Sequence, residues 1–134
     1  MNTFANIPTI GEKLEKHVVL AMNPIVLAFI GDNVQQLYVR TRFVKSGDFK
    51  AHALHKMVSA EVKAPTQALL AKRLFDTLTE EEQGVFKRAR NAKVGTTAKN
   101  ASVAEYHLAT AIEAVFGFLY LLGNTDRLGE LLGG

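Results

Sequence analysis

The chain has 134 residues, the span of one domain with one core, which leaves little room for a second. A hydrophobic fraction of 48% beside 22% charged residues excludes a disordered chain, and the absence of cysteine excludes disulfides, thiolate metal sites and thiol catalysis together. The net charge of +3 is too small to define a partner, so any electrostatic role must come from a local cluster.

Apolar residues recur at helical spacing along the whole chain and no convincing strand pattern interrupts them, so an all-α fold is expected. Thr9 and Glu12 have the spacing of a capping box and predict a short first helix ending near Met22. Asn23 followed by Pro24 predicts the start of a long helix that runs to about Lys45 and stops at Ser46 and Gly47. A third helix is expected over 49–61, with Leu54, Met57 and Val58 on its apolar side. Ala64 before Pro65 marks the next boundary, because the residue preceding proline is driven out of helical geometry. The fourth helix then occupies 66–77 and buries Leu69, Leu70 and Leu74. Thr79 and Glu82 form another capping box, opening a fifth helix through about Asn91. Residues 93–100 read as a basic loop. Ser102 and Glu105 cap the last long helix, which continues to Leu122 and closes at Gly123, and a short helix over 125–132 follows. No stretch reaches the roughly 18 uninterrupted apolar residues of a membrane span, and the N-terminus lacks the order of a secretory signal. A cytoplasmic protein with no membrane partner is expected.

Two carboxylates interrupt the most apolar segments. Asp32 follows six apolar residues and Gly31, near the middle of the second predicted helix, and Glu113 lies within the apolar run that ends at Leu122. Helices so apolar must be largely buried, and a buried carboxylate stays ionised only if it is hydrogen-bonded, paired or metal-bound. Each acid could meet a basic residue or lie on a narrow polar edge. If the helices cross near their middles, the two acids could instead share a divalent cation, with oxygen ligands that suit Mg2+. Gly31 and Gly117 each cost helix stability and mark a close approach, either of another helix or of a ligand.

Charge is just as unevenly placed. Between Gln83 and Ala104 there is no acid, whereas Lys87, Arg88, Arg90, Lys93 and Lys99 contribute five positive charges. This block is either a solvated helix end, favoured by the helix dipole, or an arm for nucleic-acid phosphates. His52 and His55 lie one helical turn apart, but no third ligand completes a metal-binding spacing. Tyr38, Phe43, Phe116 and Tyr120 stand at helical spacings and read as core or interface residues.

At these residues the chain resembles the ribonuclease III catalytic domain, whose signature element stands here as Phe29-Ile-Gly-Asp32. The supporting stretches run in family order from 24 to 122: Leu37-Tyr-Val-Arg40, Leu54-His-Lys56 with Val58-Ser-Ala60, Lys87 to Lys93, Gly95-Thr-Thr97, Lys99-Asn100, Thr110 to Ala114, and Gly117 to Leu121. The set is most similar to the Mini-ribonuclease III branch, which lacks the double-stranded-RNA-binding domain. A single ribonuclease III-like domain over 1–134, with about six to seven helices, is therefore expected.

The resemblance implies that Asp32 is the catalytic aspartate and Glu113 the metal-binding glutamate. Two further acids of ribonuclease III are replaced here by Ala28 and Thr110, on the same helical faces, which leaves the number of metal ions open. It also implies Mg2+-dependent cleavage of double-stranded RNA to 5′-phosphate and 3′-hydroxyl ends, in maturation of large-subunit (23S) ribosomal RNA, by a homodimer. Under it the basic block becomes an RNA-binding arm acting through shape rather than sequence. The competing expectation is a catalytically silent helical RNA-binding or adaptor protein on the same fold. Retention of both Asp32 and Glu113 in apolar helices argues against it.

Overall fold

The computed structural model describes residues 7–92 and 102–133. Among them the chain forms seven α-helices and no strand: α1 (Lys16–Leu20), α2 (Pro24–Ser46), α3 (Ala51–Val62), α4 (Ala64–Phe75), α5 (Glu80–Arg90), α6 (Val103–Leu122) and α7 (Thr125–Gly133). The all-α expectation is met, and no described helix is long and apolar enough to cross a membrane.

The central element is α6. From Ala109 to Tyr120 every residue is buried except Glu113, which is partly exposed. A helix apolar on all sides must be surrounded, and α1, α2, α4, α5 and α7 all pack on it. Leu27 of α2, Val85 and Phe86 of α5, and Leu128 of α7 join Ile112, Phe116 and Phe118 in the core. A smaller cluster of Tyr38, Val39 and Val58 holds α3 to the distal half of α2.

Local hydrogen bonding defines most helix ends as the sequence predicts. Asn23 Oδ1 accepts from the Ile25 N–H at 2.8 Å and Pro24 opens α2. The Thr79–Glu82 and Ser102–Glu105 capping boxes are both complete. Gly123 ends α6 with φ +71°, and the Asn124 N–H reaches back to the Leu119 carbonyl.

Three expectations are corrected. Thr9 and Glu12 do not cap a helix: α1 begins only at Lys16. The Thr9 hydroxyl donates instead to the Tyr120 carbonyl, and the Ile10 N–H donates to the Tyr120 hydroxyl at 3.0 Å, so this segment is tied across to α6. The break before α4 falls at the extended Lys63, and the helix starts at Ala64, because Pro65 in the first turn replaces an N–H that has no helical partner anyway. In α4 the buried face is Gln67, Ala68, Ala71 and Leu74, while Leu69 is 68% exposed. The amide of Gln67 turns inward because Gln35 of α2 meets it there: each amide donates to the other's oxygen, at 2.8 Å for the Gln35 N–H. Two buried polar side chains thus satisfy each other inside an apolar wall.

Candidate active site

Gly31 and Gly117 mark the crossing of α2 and α6. A Cβ on Gly31 would lie 1.7 Å from the Glu113 carbonyl oxygen, and one on Gly117 would lie 1.9 Å from the Leu27 carbonyl oxygen. No side chain fits at either position, so the two backbones approach more closely than any pair of alanines would permit. Of the two readings of these glycines, the structure shows the close helix approach. Asp32 follows the first glycine and Glu113 precedes the second by four residues, so the crossing brings both acids together.

They line one cleft of about 390 Å3. Its walls are Ile25, Ala28, Phe29 and Asp32 of α2, Tyr106, Ala109, Thr110 and Glu113 of α6, and Val62, Ala64 and Gln67 at the α3–α4 corner. Ala28 and Thr110 stand one helical turn from the two acids and add no carboxylate. No lysine, arginine or histidine is found among the described residues that line the cleft. Among the described lining residues neither acid meets a basic partner.

The electrostatics follow from this. Burial pushes the Glu113 carboxyl up, and its hydrogen bond with Asp32 and the charge of Asp32 push it further, to about 9. The Glu113 carboxyl is thereby held toward its protonated form beside Asp32. Asp32 also accepts from Gln36 Nε2 at 3.2 Å, and Gln36 Oε1 accepts in turn from Arg40 at 3.3 Å. This polar chain runs along one edge of α2 at intervals of four residues. Sequence reasoning misses Gln36, although its spacing from Asp32 is the signal that finds it.

Of the five basic residues, Lys87, Arg88 and Arg90 are among the described ones. Lys87 lies 5.9 Å from the Phe75 ring, and the Arg90 side chain reaches Asn91. Arg88 turns back to donate to the Leu20 carbonyl at 2.8 Å, beside the α1–α2 junction where Ile25, also a cleft residue, is found. Lys93 and Lys99, with the predicted loop, lie outside the described residues. His52 and His55 are exposed, and the described residues contain no cluster of three or more histidine, aspartate or glutamate side chains suited to a metal.

The two central helices of the bundle thus cross at paired glycines and bring two carboxyl groups together in one cleft. The family model described as Ribonuclease III domain matches residues 25–124, which include both acids. Mini-ribonuclease 3 of Thermoanaerobacter sp. (strain X514) is 46% identical over 121 residues, covering 90% of this chain and 85% of that protein. Mini-ribonuclease 3 of Clostridium tetani is 44% identical over 124 residues, covering 92% and 82% respectively. A crystal structure of a Fusobacterium nucleatum protein superposes with a TM-score of 0.78 at 34% identity, covering 84% of this chain and 90% of that one. The chain belongs to the ribonuclease III family and, within it, to the Mini-ribonuclease 3 group. It is an endoribonuclease that acts on double-stranded RNA.

Proposed function

We propose that Asp32 and Glu113 hold Mg2+ between them and that cleavage takes place at this pair. The observation that carries this reading is two carboxylates opposed in one cleft with no basic side chain among its described lining residues. The donors fit the ion: both are hard carboxylate oxygens, and with only two protein ligands the remaining positions fall to water and RNA oxygens, as Mg2+ prefers. When bound, Mg2+ supplies Lewis-acid charge for phosphodiester hydrolysis, leaving 5′-phosphate and 3′-hydroxyl ends. Gln36 donates to Asp32 and keeps it in orientation, and Glu113 would hold the ion as its carboxylate, having lost its proton.

The working unit is proposed to be a homodimer. Val26, Phe29, Leu37 and Val44 form an exposed apolar stripe on α2, with Phe29 73% exposed at the lip of the cleft. This exposed apolar face beside the site, interrupted by Asn33 and Arg40, is suited to a second copy of the chain, which would set two clefts against the two strands of a duplex. Lys87, Arg88, Arg90, Lys93 and Lys99 are proposed to contact RNA phosphates. The resemblance to Mini-ribonuclease III supports a large-subunit ribosomal RNA precursor as the cytoplasmic substrate.

The test is cleavage of end-labelled duplex RNA and of a large-subunit precursor, with Mg2+ and with EDTA, by the wild type and by Asp32→Asn. We expect Mg2+-dependent cleavage of both RNAs by the wild type alone, with duplex binding retained by the variant. Cleavage by Asp32→Asn at the wild-type rate would remove the site assignment. Failure to cut the precursor at defined positions would remove the ribosomal substrate only.

A further inference from the structure

Apart from its two acids, the cleft has three polar side chains among its described lining residues: Gln67, Thr110 and Tyr106. Gln67 is 1% exposed and paired with Gln35. The Thr110 hydroxyl donates back to the Tyr106 carbonyl at 3.0 Å, the usual way a threonine satisfies itself within a helix. The Tyr106 hydroxyl has no partner among the described residues. It is therefore the one uncommitted side-chain hydrogen-bond donor among the described lining residues, in a cleft whose carboxyl groups, Asp32 and Glu113, face each other.

Tyr106 stands seven residues before Glu113, two turns along the same face of α6 and about 10 Å away along the axis. An RNA strand whose phosphodiester reached Asp32 and Glu113 and continued along α6 would carry its neighbouring backbone over this position. That backbone is rich in acceptors, and its 2′-hydroxyl both donates and accepts, as a phenol does. Asp32 and Glu113, once given to the metal ion, offer it no donor. We propose that Tyr106 is a substrate-binding residue whose phenol hydrogen-bonds an oxygen of the RNA backbone beside the cleaved phosphodiester. The proposal rests on the assignment of the reaction to Asp32 and Glu113.

The experiment is Tyr106→Phe, which keeps the ring and removes only the hydroxyl. Loss of one hydrogen bond predicts a KM about tenfold higher and an equal loss of duplex affinity in EDTA, with kcat nearly unchanged. Helix content and Tm stay at wild-type values. Duplexes carrying single 2′-deoxy substitutions around the cleavage position identify the acceptor. For a 2′-hydroxyl, one position costs the wild type about tenfold and costs Tyr106→Phe nothing. For a phosphate oxygen, every substitution affects both proteins alike. Either pattern, with the raised KM, supports the phenol's role. A Tyr106→Phe enzyme with wild-type KM and affinity overturns it. Asp32→Asn assayed in parallel separates the failures: cleavage by that variant overturns the site assignment, whereas its inactivity beside an unaffected Tyr106→Phe overturns the phenol's role alone.

Discussion

A methyl group on Gly31 would sit 1.7 Å from the carbonyl oxygen of Glu113. The obstacle is backbone, which cannot swing aside as a side chain does. Gly31→Ala must therefore push α2 away from α6, with a cost of about 3 kcal/mol or more. Because the same crossing joins Asp32 to Glu113, cleavage should fall further than stability alone explains. Thermal melts with kcat measured well below Tm test both parts, and a variant with wild-type Tm would contradict the crossing geometry.

In the absence of metal, the opposed acids make stability depend on pH. The Glu113 pKa is pushed up to about 9 from an ordinary 4.5. Its contribution to folding is therefore complete below about pH 4.5 and is lost as pH rises toward 9. In EDTA, Tm should decline across that window, and Asp32→Asn should flatten the decline by removing the opposing charge. Mg2+ should displace close to one proton near pH 7. Calorimetry in buffers of different ionisation enthalpy measures that proton directly, and a titration with no proton release would contradict the pairing.

Arg127 of α7 is the support for the start of α5. It donates to both oxygens of buried Glu82, to the Thr77 carbonyl at 2.8 Å and to Glu130 at 3.0 Å. Burial alone would raise the Glu82 pKa, but the hydrogen bonds from Arg127 and the Thr79 backbone, with the Arg127 charge, hold it below its ordinary value. Removing the guanidinium leaves a buried carboxylate without its partner. Arg127→Ala should cost about 3 kcal/mol, roughly 10 °C in Tm. In the wild type this contribution is present above the ordinary glutamate pKa and lost as pH falls through the lower folded value, so the difference between the two proteins should shrink in acid.

Lys87 and Arg90 offer charges with little structural duty, unlike Arg88, which holds the Leu20 carbonyl. Replacing Lys87 and Arg90 together by glutamine should leave stability within about 0.5 kcal/mol of the wild type. It should weaken duplex binding and lower the slope of log affinity against log salt by roughly one for each phosphate no longer neutralised. An unchanged slope would place both residues off the RNA surface.

Leu37 is 55% exposed in the middle of the apolar stripe of α2. Leu37→Asp should leave the protomer folded, since the side chain faces outward, and should shift a dimer to monomer in sedimentation equilibrium. Cleavage of both strands of a duplex should then drop with the dimer fraction. A wild-type sedimentation profile for this variant would move the interface elsewhere.

The legible parts of the molecule share a short range. Asn23, Thr79, Ser102 and Gly123 close helix ends through bonds that span a few residues, so their spacing in sequence is already their geometry. Thr9 and Glu12 carry the same pattern and fail, because the Tyr120 carbonyl, far along the chain, takes the Thr9 hydroxyl. Leu69 fails similarly: apolar periodicity places it inside, but the Gln35–Gln67 pair turns α4 so that an amide faces the core and Leu69 faces out. Tyr106 is not legible in the same way, because a phenol at helical spacing resembles any amphipathic core residue until its neighbours are known.

The amino-acid sequence by itself determined that this chain is helical, where most of the helices start and stop, and that Asp32, Glu113, Gly31 and Gly117 are out of place in apolar segments. Those properties depend on interactions within a turn or two and on the transfer cost of a buried charge. Only the tertiary structure decided that the four belong to one feature. Two glycines let two backbones touch, and that approach sets the carboxyl groups face to face, pushing the Glu113 pKa up in a cleft with no basic side chain among its described lining residues. The meeting of distant segments depends on how whole helices pack, and no local spacing encodes it.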